Sequence, residues 1–153
     1  MNCILAAKNS LYLGTRSGLY AFERGKTRLI GSTSGKNISS LVIDDTGSLW
    51  IGTSQGIYVA APGKRDHIKA LKREIRVSCL FYDSITKTVA LSCDKNRLLV
   101  YEASRRRCIY TARLPVSDII QITAVSGTKL WICSKSGVVS ELNRLHAVTL
   151  YPA

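Results

Sequence analysis

No stretch of this sequence approaches the roughly eighteen consecutive apolar residues of a membrane-spanning helix. Residues 1–7 carry no basic segment of the kind that opens a secretory leader, so a soluble, unsecreted, cytoplasmic protein is expected. The five cysteines, Cys3, Cys79, Cys93, Cys108 and Cys133, are odd in number and never stand as a C-x-x-C pair. That excludes a paired disulfide framework and the usual structural zinc spacing, and leaves reduced, mostly buried thiols as the expectation. Also missing are a glycine-rich phosphate loop, paired metal-ligand spacing and a serine elbow, so no catalytic residue, metal or cofactor is assigned. The two histidines, His67 and His146, fall on expected outer strands and suggest no triad.

Acidic residues are scarce as well. Ten Asp and Glu stand against 22 Lys and Arg, a formal charge of +12. Such a balance favours anionic partners, whether nucleic acid, acidic protein surfaces or lipid head groups. Charged residues are nevertheless only 21% and hydrophobic ones 46% of the chain, which is ordinary globular composition.

What the sequence does contain is one phrase repeated four times at a spacing of about forty residues. Residues Leu11 to Tyr20, LYLGTRSGLY, align with Leu49 to Tyr58, LWIGTSQGIY, and with Leu130 to Val139, LWICSKSGVV. A degenerate copy, Val89 to Tyr101, has one extra residue and Asn96-Arg97 where the glycine stood. Short apolar or β-branched runs around a polar turn with glycine describe a β-hairpin, because glycine takes positive φ without a Cβ penalty. Uninterrupted apolar runs such as Leu49 to Ile51 suggest strands buried on both faces.

An inner strand is expected before each hairpin, at Cys3 to Ala7, Ile38 to Ile43, Val77 to Tyr82 and Ile119 to Val125. A weaker outer strand follows each, at Thr27 to Ile30, His67 to Leu71, Cys108 to Leu114 and His146 to Tyr151. Four strands per unit of about forty residues is the blade of a β-propeller. The expected fold is therefore all-β, one module with blades at about 1–33, 34–72, 73–115 and 116–153.

The stretch Ile38 to Tyr58 resembles the two-component regulator propeller repeat, with one glycine at the hairpin turn where that family carries a pair. The resemblance implies propeller blades and a binding role as ligand sensor. Four blades suggest a small closed ring, two chains pairing, or completion by another protein; the last two are favoured, because uncovered blade faces expose apolar patches.

Turns between third and fourth strands are all basic: Arg24 and Lys26; Lys64 and Arg65; Arg105, Arg106 and Arg107; and Arg144. Equivalent turns of successive blades emerge on one side, so these residues are expected to form a positive surface for an acidic partner or nucleic acid. Lys69, Lys72, Arg73 and Arg76 would extend it to the rim. Trp50 and Trp131 hold equivalent positions and are expected to pack between blades. Asp44 and Asp45 stand in a turn where a side chain accepting backbone N–H groups explains them without calcium. The leading functional expectation is a non-catalytic scaffold or interaction module docking into a larger assembly. The alternatives are a ligand- or glycan-sensing propeller segment and a propeller lyase or hydrolase.

Overall fold

In the computed structural model, residues 1–8, 10–126, 129–143 and 148–151 are described. They form sixteen strands in four four-stranded antiparallel sheets, each ordered as the chain runs, and no α-helix. The first sheet holds β1 (Cys3–Ala7), β2 (Ser10–Gly14), β3 (Leu19–Glu23) and β4 (Lys26–Leu29). The second holds β5 (Ile38–Ile43), β6 (Leu49–Thr53), β7 (Gly56–Ala60) and β8 (Ile68–Arg73). The third comprises β9 (Val77–Asp83), β10 (Thr88–Cys93), β11 (Arg97–Glu102) and β12 (Arg107–Arg113). The fourth comprises β13 (Ile119–Ser126), β14 (Lys129–Ser134), β15 (Val139–Asn143) and β16 (Val148–Tyr151). These are the four-stranded blades of a β-propeller fold.

The chain divides into two compact units, Met1–Val77 and Ser78–Ala153. In the first unit, Tyr12, Leu19, Ala21 and Ile30 of the first sheet's side meet Ile38, Leu41, Leu49, Ile51 and Ala60 of the second. In the second unit, Cys79, Ala90, Leu98 and Val100 meet Ile119, Ile122, Leu130, Ile132 and Leu142. Each core is a sheet-on-sheet layer whose large aliphatic side chains contribute about 1.5–3 kcal/mol apiece when fully buried. β6 is buried at every residue and so is β10, as the unbroken apolar runs imply.

The hairpins between second and third strands share one device. Thr15 and Thr53 donate their hydroxyls to the carbonyls of Gly18 and Gly56, at 2.8 and 2.9 Å, and accept from the N–H of Ser17 and Gln55. Ser134 makes the same bond to the Val138 carbonyl at 3.1 Å. Gly56 has φ of +148°, a region that disfavours any Cβ. In the degenerate third copy the reversed backbone falls on Asp94 and Lys95, at φ 48° and 75°, not on Asn96. An ion pair from Arg97 to Asp94 closes that turn.

These hairpin tips also anchor the chain as it passes to the next sheet. The Ile38 N–H donates to the Thr15 carbonyl, Glu74 to Gln55, and Asp118 to Lys95, at 2.8 to 3.0 Å. The other end of each sheet is left to the first-to-second and third-to-fourth strand connections. In the second and third sheets the outer strand carries a one-residue bulge. Leu71 lies between the pairs Ile57–Lys72 and Tyr58–Ala70, and Ile109 between Val100–Tyr110 and Tyr101–Cys108.

Candidate functional site

In the first three sheets the third-to-fourth strand connections lie where sequence places them. Arg24 and Gly25 form a two-residue turn, both at positive φ, between the paired residues Glu23 and Lys26. Arg24 and Lys26 are exposed there. Lys64 and Arg65 occupy the longer loop between β7 and β8, and Arg105 and Arg106 the turn between β11 and β12, with Arg107 opening β12. Arg144 lies outside the described residues, as does His146.

The basic side chains differ in what they touch. Arg65 is half-buried and held: Nε donates to the Tyr12 hydroxyl at 3.2 Å, Nη1 to the Ala60 carbonyl at 3.3 Å and Nη2 to the Gly47 carbonyl at 2.8 Å. Its guanidinium also stands 5.8 Å from the centroid of the Tyr12 ring. Arg65 therefore ties the first sheet of its unit to two loops of the second. Arg65→Ala is expected to lower stability by about 1–3 kcal/mol in a urea melt, against less than about 0.5 for Lys64→Ala on the exposed loop. Equal effects would remove the structural role. Arg105 and Arg107 both lie 3.7 Å from Glu102 and remain largely exposed.

Antiparallel order places first-to-second strand connections at the same sheet end, and these bring acids that a count of the basic turns overlooks. Asp44 and Asp45 stand at this end of the second sheet and Asp83 at this end of the third. Asp44, buried, accepts at Oδ1 from the N–H groups of Thr46 and Ser48, at 2.9 and 3.0 Å, and at Oδ2 from the Trp50 indole at 2.8 Å. Backbone N–H acceptance is thus its role, as the turn sequence suggests. Asp83 repeats the arrangement, accepting from the Ile85 N–H and the Thr86 hydroxyl at 2.9 and 2.7 Å. In the first unit this end holds an open cleft of about 580 Å³ lined by Lys8, Ser10, Tyr12, Asp45, Thr46 and Arg65 among others.

A second surface is apolar. On β1–β4 the residues opposite the core form two rows across all four strands. One is Ile4, Leu13, Tyr20 and Leu29; the other is Ala6, Leu11, Phe22 and Thr27. Ile4 is 53% exposed and Phe22 41%. The period-two alternation that puts Leu5 and Tyr12 in the core necessarily puts these on the far side.

Two expectations need correction. Trp50 is fully buried, but its equivalent Trp131 is 37% exposed, because it points away from the core that Leu130 and Ile132 form. Of the cysteines, all free, Cys79 and Cys93 are buried while Cys108 is exposed on the outer strand β12. Burial pushes the Cys79 thiol above its ordinary range, against the opposing hydrogen bond with Ser92. Among the described residues no cluster of His, Cys, Asp and Glu is arranged to hold a metal.

Comparison with known proteins agrees with this geometry. The two component regulator propeller family matches residues 32–55, the turn, strand and hairpin of the second sheet. No curated protein matches. The extracellular domain of a hybrid two component system from B. thetaiotaomicron superposes with a TM-score of 0.82 at 18% identity over 98% of this chain; the chain spans 22% of that one. Streptogramin B lyase superposes at 0.75 with 12% identity, over 98% of this chain and 53% of its own. The computationally designed Ika4 protein also superposes at 0.75 with 12% identity, over 93% of this chain and 89% of its own. At these identities the likeness is one of fold.

Proposed function

We propose that this chain, a set of propeller blades of which one resembles the two component regulator propeller repeat, is a non-catalytic interaction module that docks into a larger assembly. The observation carrying this reading is the first-sheet face opposite its core, where Ile4 and Phe22 are exposed amid two largely apolar rows. An exposed contiguous apolar face on a sheet that is otherwise well packed marks an interface. The basic turns supply the second element: Arg24, Lys26 and Lys64 in one unit and Arg105, Arg106 and Arg107 in the other recruit an acidic protein partner or nucleic acid. Free cysteines throughout fit a reducing, intracellular setting.

Affinity purification at low and moderate salt, with and without nuclease, tests the reading. A protein partner retained after nuclease and lost with Phe22→Glu is the expected result. Recovery of no partner under any condition overturns it. If nucleic acid binds the turns, replacing Arg105, Arg106 and Arg107 with Ser should lower the salt slope of binding by up to about 3. An unchanged slope excludes those residues.

The cleft beside Lys8, Asp45 and Arg65 favours a second reading, a small-ligand or glycan sensor, consistent with the family segment at residues 32–55. A saturable thermal shift with a sugar panel, lost in Asp45→Ala, would select it.

A further inference from the structure

We infer that the cleft of the first unit binds a small organic carboxylate, gripped between Arg65 and Lys8. The inference rests on the second reading above, that this cleft takes a small ligand, and goes on to name the ligand's chemistry.

Arg65 carries a charge that the fold does not neutralise. Its side chain is half-buried on the wall of the cleft, and its three bonds, to the Tyr12 hydroxyl and to the Ala60 and Gly47 carbonyls, all go to neutral oxygens. Among the described residues it forms no ion pair. The acid next to it in sequence, Asp66, pairs with Arg28 instead. A partly desolvated cation ordinarily has an anion opposite it, and an anion entering the cleft is the group that would supply one.

The geometry of the guanidinium suits a carboxylate. Its planar fork has five N–H donors. One is used on each nitrogen, which leaves one on each terminal nitrogen to meet the two oxygens of a carboxylate. The bonds to the protein also fix the fork before a ligand arrives, so binding costs little further ordering. Tyr12, whose oxygen accepts from Arg65, retains its own O–H as a donor on the same wall. Lys8, exposed in the turn between β1 and β2, adds a second positive charge.

The same cleft disfavours larger anions. Asp44 and Asp45 line it too and match the two bases in number. Asp44 is occupied by the Thr46 and Ser48 N–H groups and the Trp50 indole, while Asp45 is exposed. A site without surplus charge has no field to hold a phosphate dianion or a polyanion, whereas a single carboxylate needs only the local fork. Ala7, Ile43 and Pro62 offer apolar surface to the ligand's carbon skeleton, and about 580 Å³ suits a small molecule. Every lining residue falls within Met1–Val77, so the site belongs to one unit.

Titration of the isotope-labelled full chain, followed by nuclear magnetic resonance, is the test. The probes are benzoate beside benzamide, glucuronate beside glucose, and inorganic phosphate. The amides of Lys8, Thr46 and Gly47 and the Arg65 Nε–H should shift saturably with both acids, and not with the neutral counterparts or with phosphate. Lys8→Glu should weaken both acids about tenfold or more. Arg16→Glu, the same change of charge in the hairpin at the opposite end of the first sheet, should leave them unchanged. The amide spectra of the two variants report that each is folded. Glucose binding as tightly as glucuronate, with the same amides moving, overturns the carboxylate and leaves the small-ligand reading standing. No shift at those groups with any compound, the sugar panel included, overturns both. Phosphate binding as tightly as the acids, or acids unaffected by Lys8→Glu, overturns the grip of Arg65 and Lys8 on a carboxylate.

Discussion

Gly56→Ala is expected to remove about 3–5 kcal/mol of stability, a large part of what a small domain possesses. Two costs combine. At φ of +148° a side chain is strained whatever space surrounds it, about 1–3 kcal/mol. A Cβ there would also sit 2.3 Å from the Lys72 carbonyl oxygen and 3.1 Å from the Arg73 Cα. Those are backbone atoms of the paired strand β8, so relief requires moving a strand, which costs about 1–3 kcal/mol more. Gly25→Ala is the control. Its φ is +76° and nothing lies within 4 Å, so only the torsional cost of about 1 kcal/mol remains. Urea denaturation of the two variants measures the difference directly, and comparable midpoints would mean that the close approach of β8 is wrong.

Asp44→Ala comes next, at about 3–4 kcal/mol. The substitution strips the acceptor from the Trp50 indole, which is fully buried, and leaves that N–H without the carboxylate. An orphaned buried donor costs about 1–3 kcal/mol. The turn loses the bonds that hold the N–H groups of Thr46 and Ser48 as well. Asp44→Asn separates the two contributions: its oxygen can serve the turn while its amide opposes the indole donor. It should recover the turn but not the indole bond, falling between wild type and Asp44→Ala. Tryptophan fluorescence during unfolding reports on the site, and an Asp44→Asn variant as stable as wild type would show that the indole bond contributes nothing.

The inner strands and hairpins were legible because their signals are local. Cys3–Ala7 and Ile38–Ile43 coincide with the expected spans, and Val77–Asp83 and Ile119–Ser126 run one residue beyond them. Apolar alternation and a polar turn are read from neighbouring residues alone. The outer strands shifted by a residue or two, since β4 and β8 have weak apolar patterns on an exposed edge.

Burial of a whole face was less legible. Trp50 and Trp131 share a sequence context, yet Trp50 is fully buried with its indole bonded to Asp44 while Trp131 is exposed, a difference that the repeated phrase does not encode. Arg65 was hidden for a similar reason. Its partners Tyr12 and Gly47 are distant in sequence, so a loop arginine looks like any other surface cation until the fold brings them together. The mixed charge at the turn end was within reach: antiparallel order alone sends Asp44 and Asp83 to the end that carries the basic turns.

The kinks at Leu71 and Ile109 bear on how such chains avoid indiscriminate association. A long, flat border strand is a template for fibrous growth, since its free amides and carbonyls accept any extended chain. An extra residue in each of two successive borders breaks that template, and Lys69, Lys72 and Arg73 on one border and Arg107 and Arg113 on the other add repulsion. Growth by lateral strand addition is thereby discouraged, and any orderly assembly is steered to the broad greasy sides of the blades.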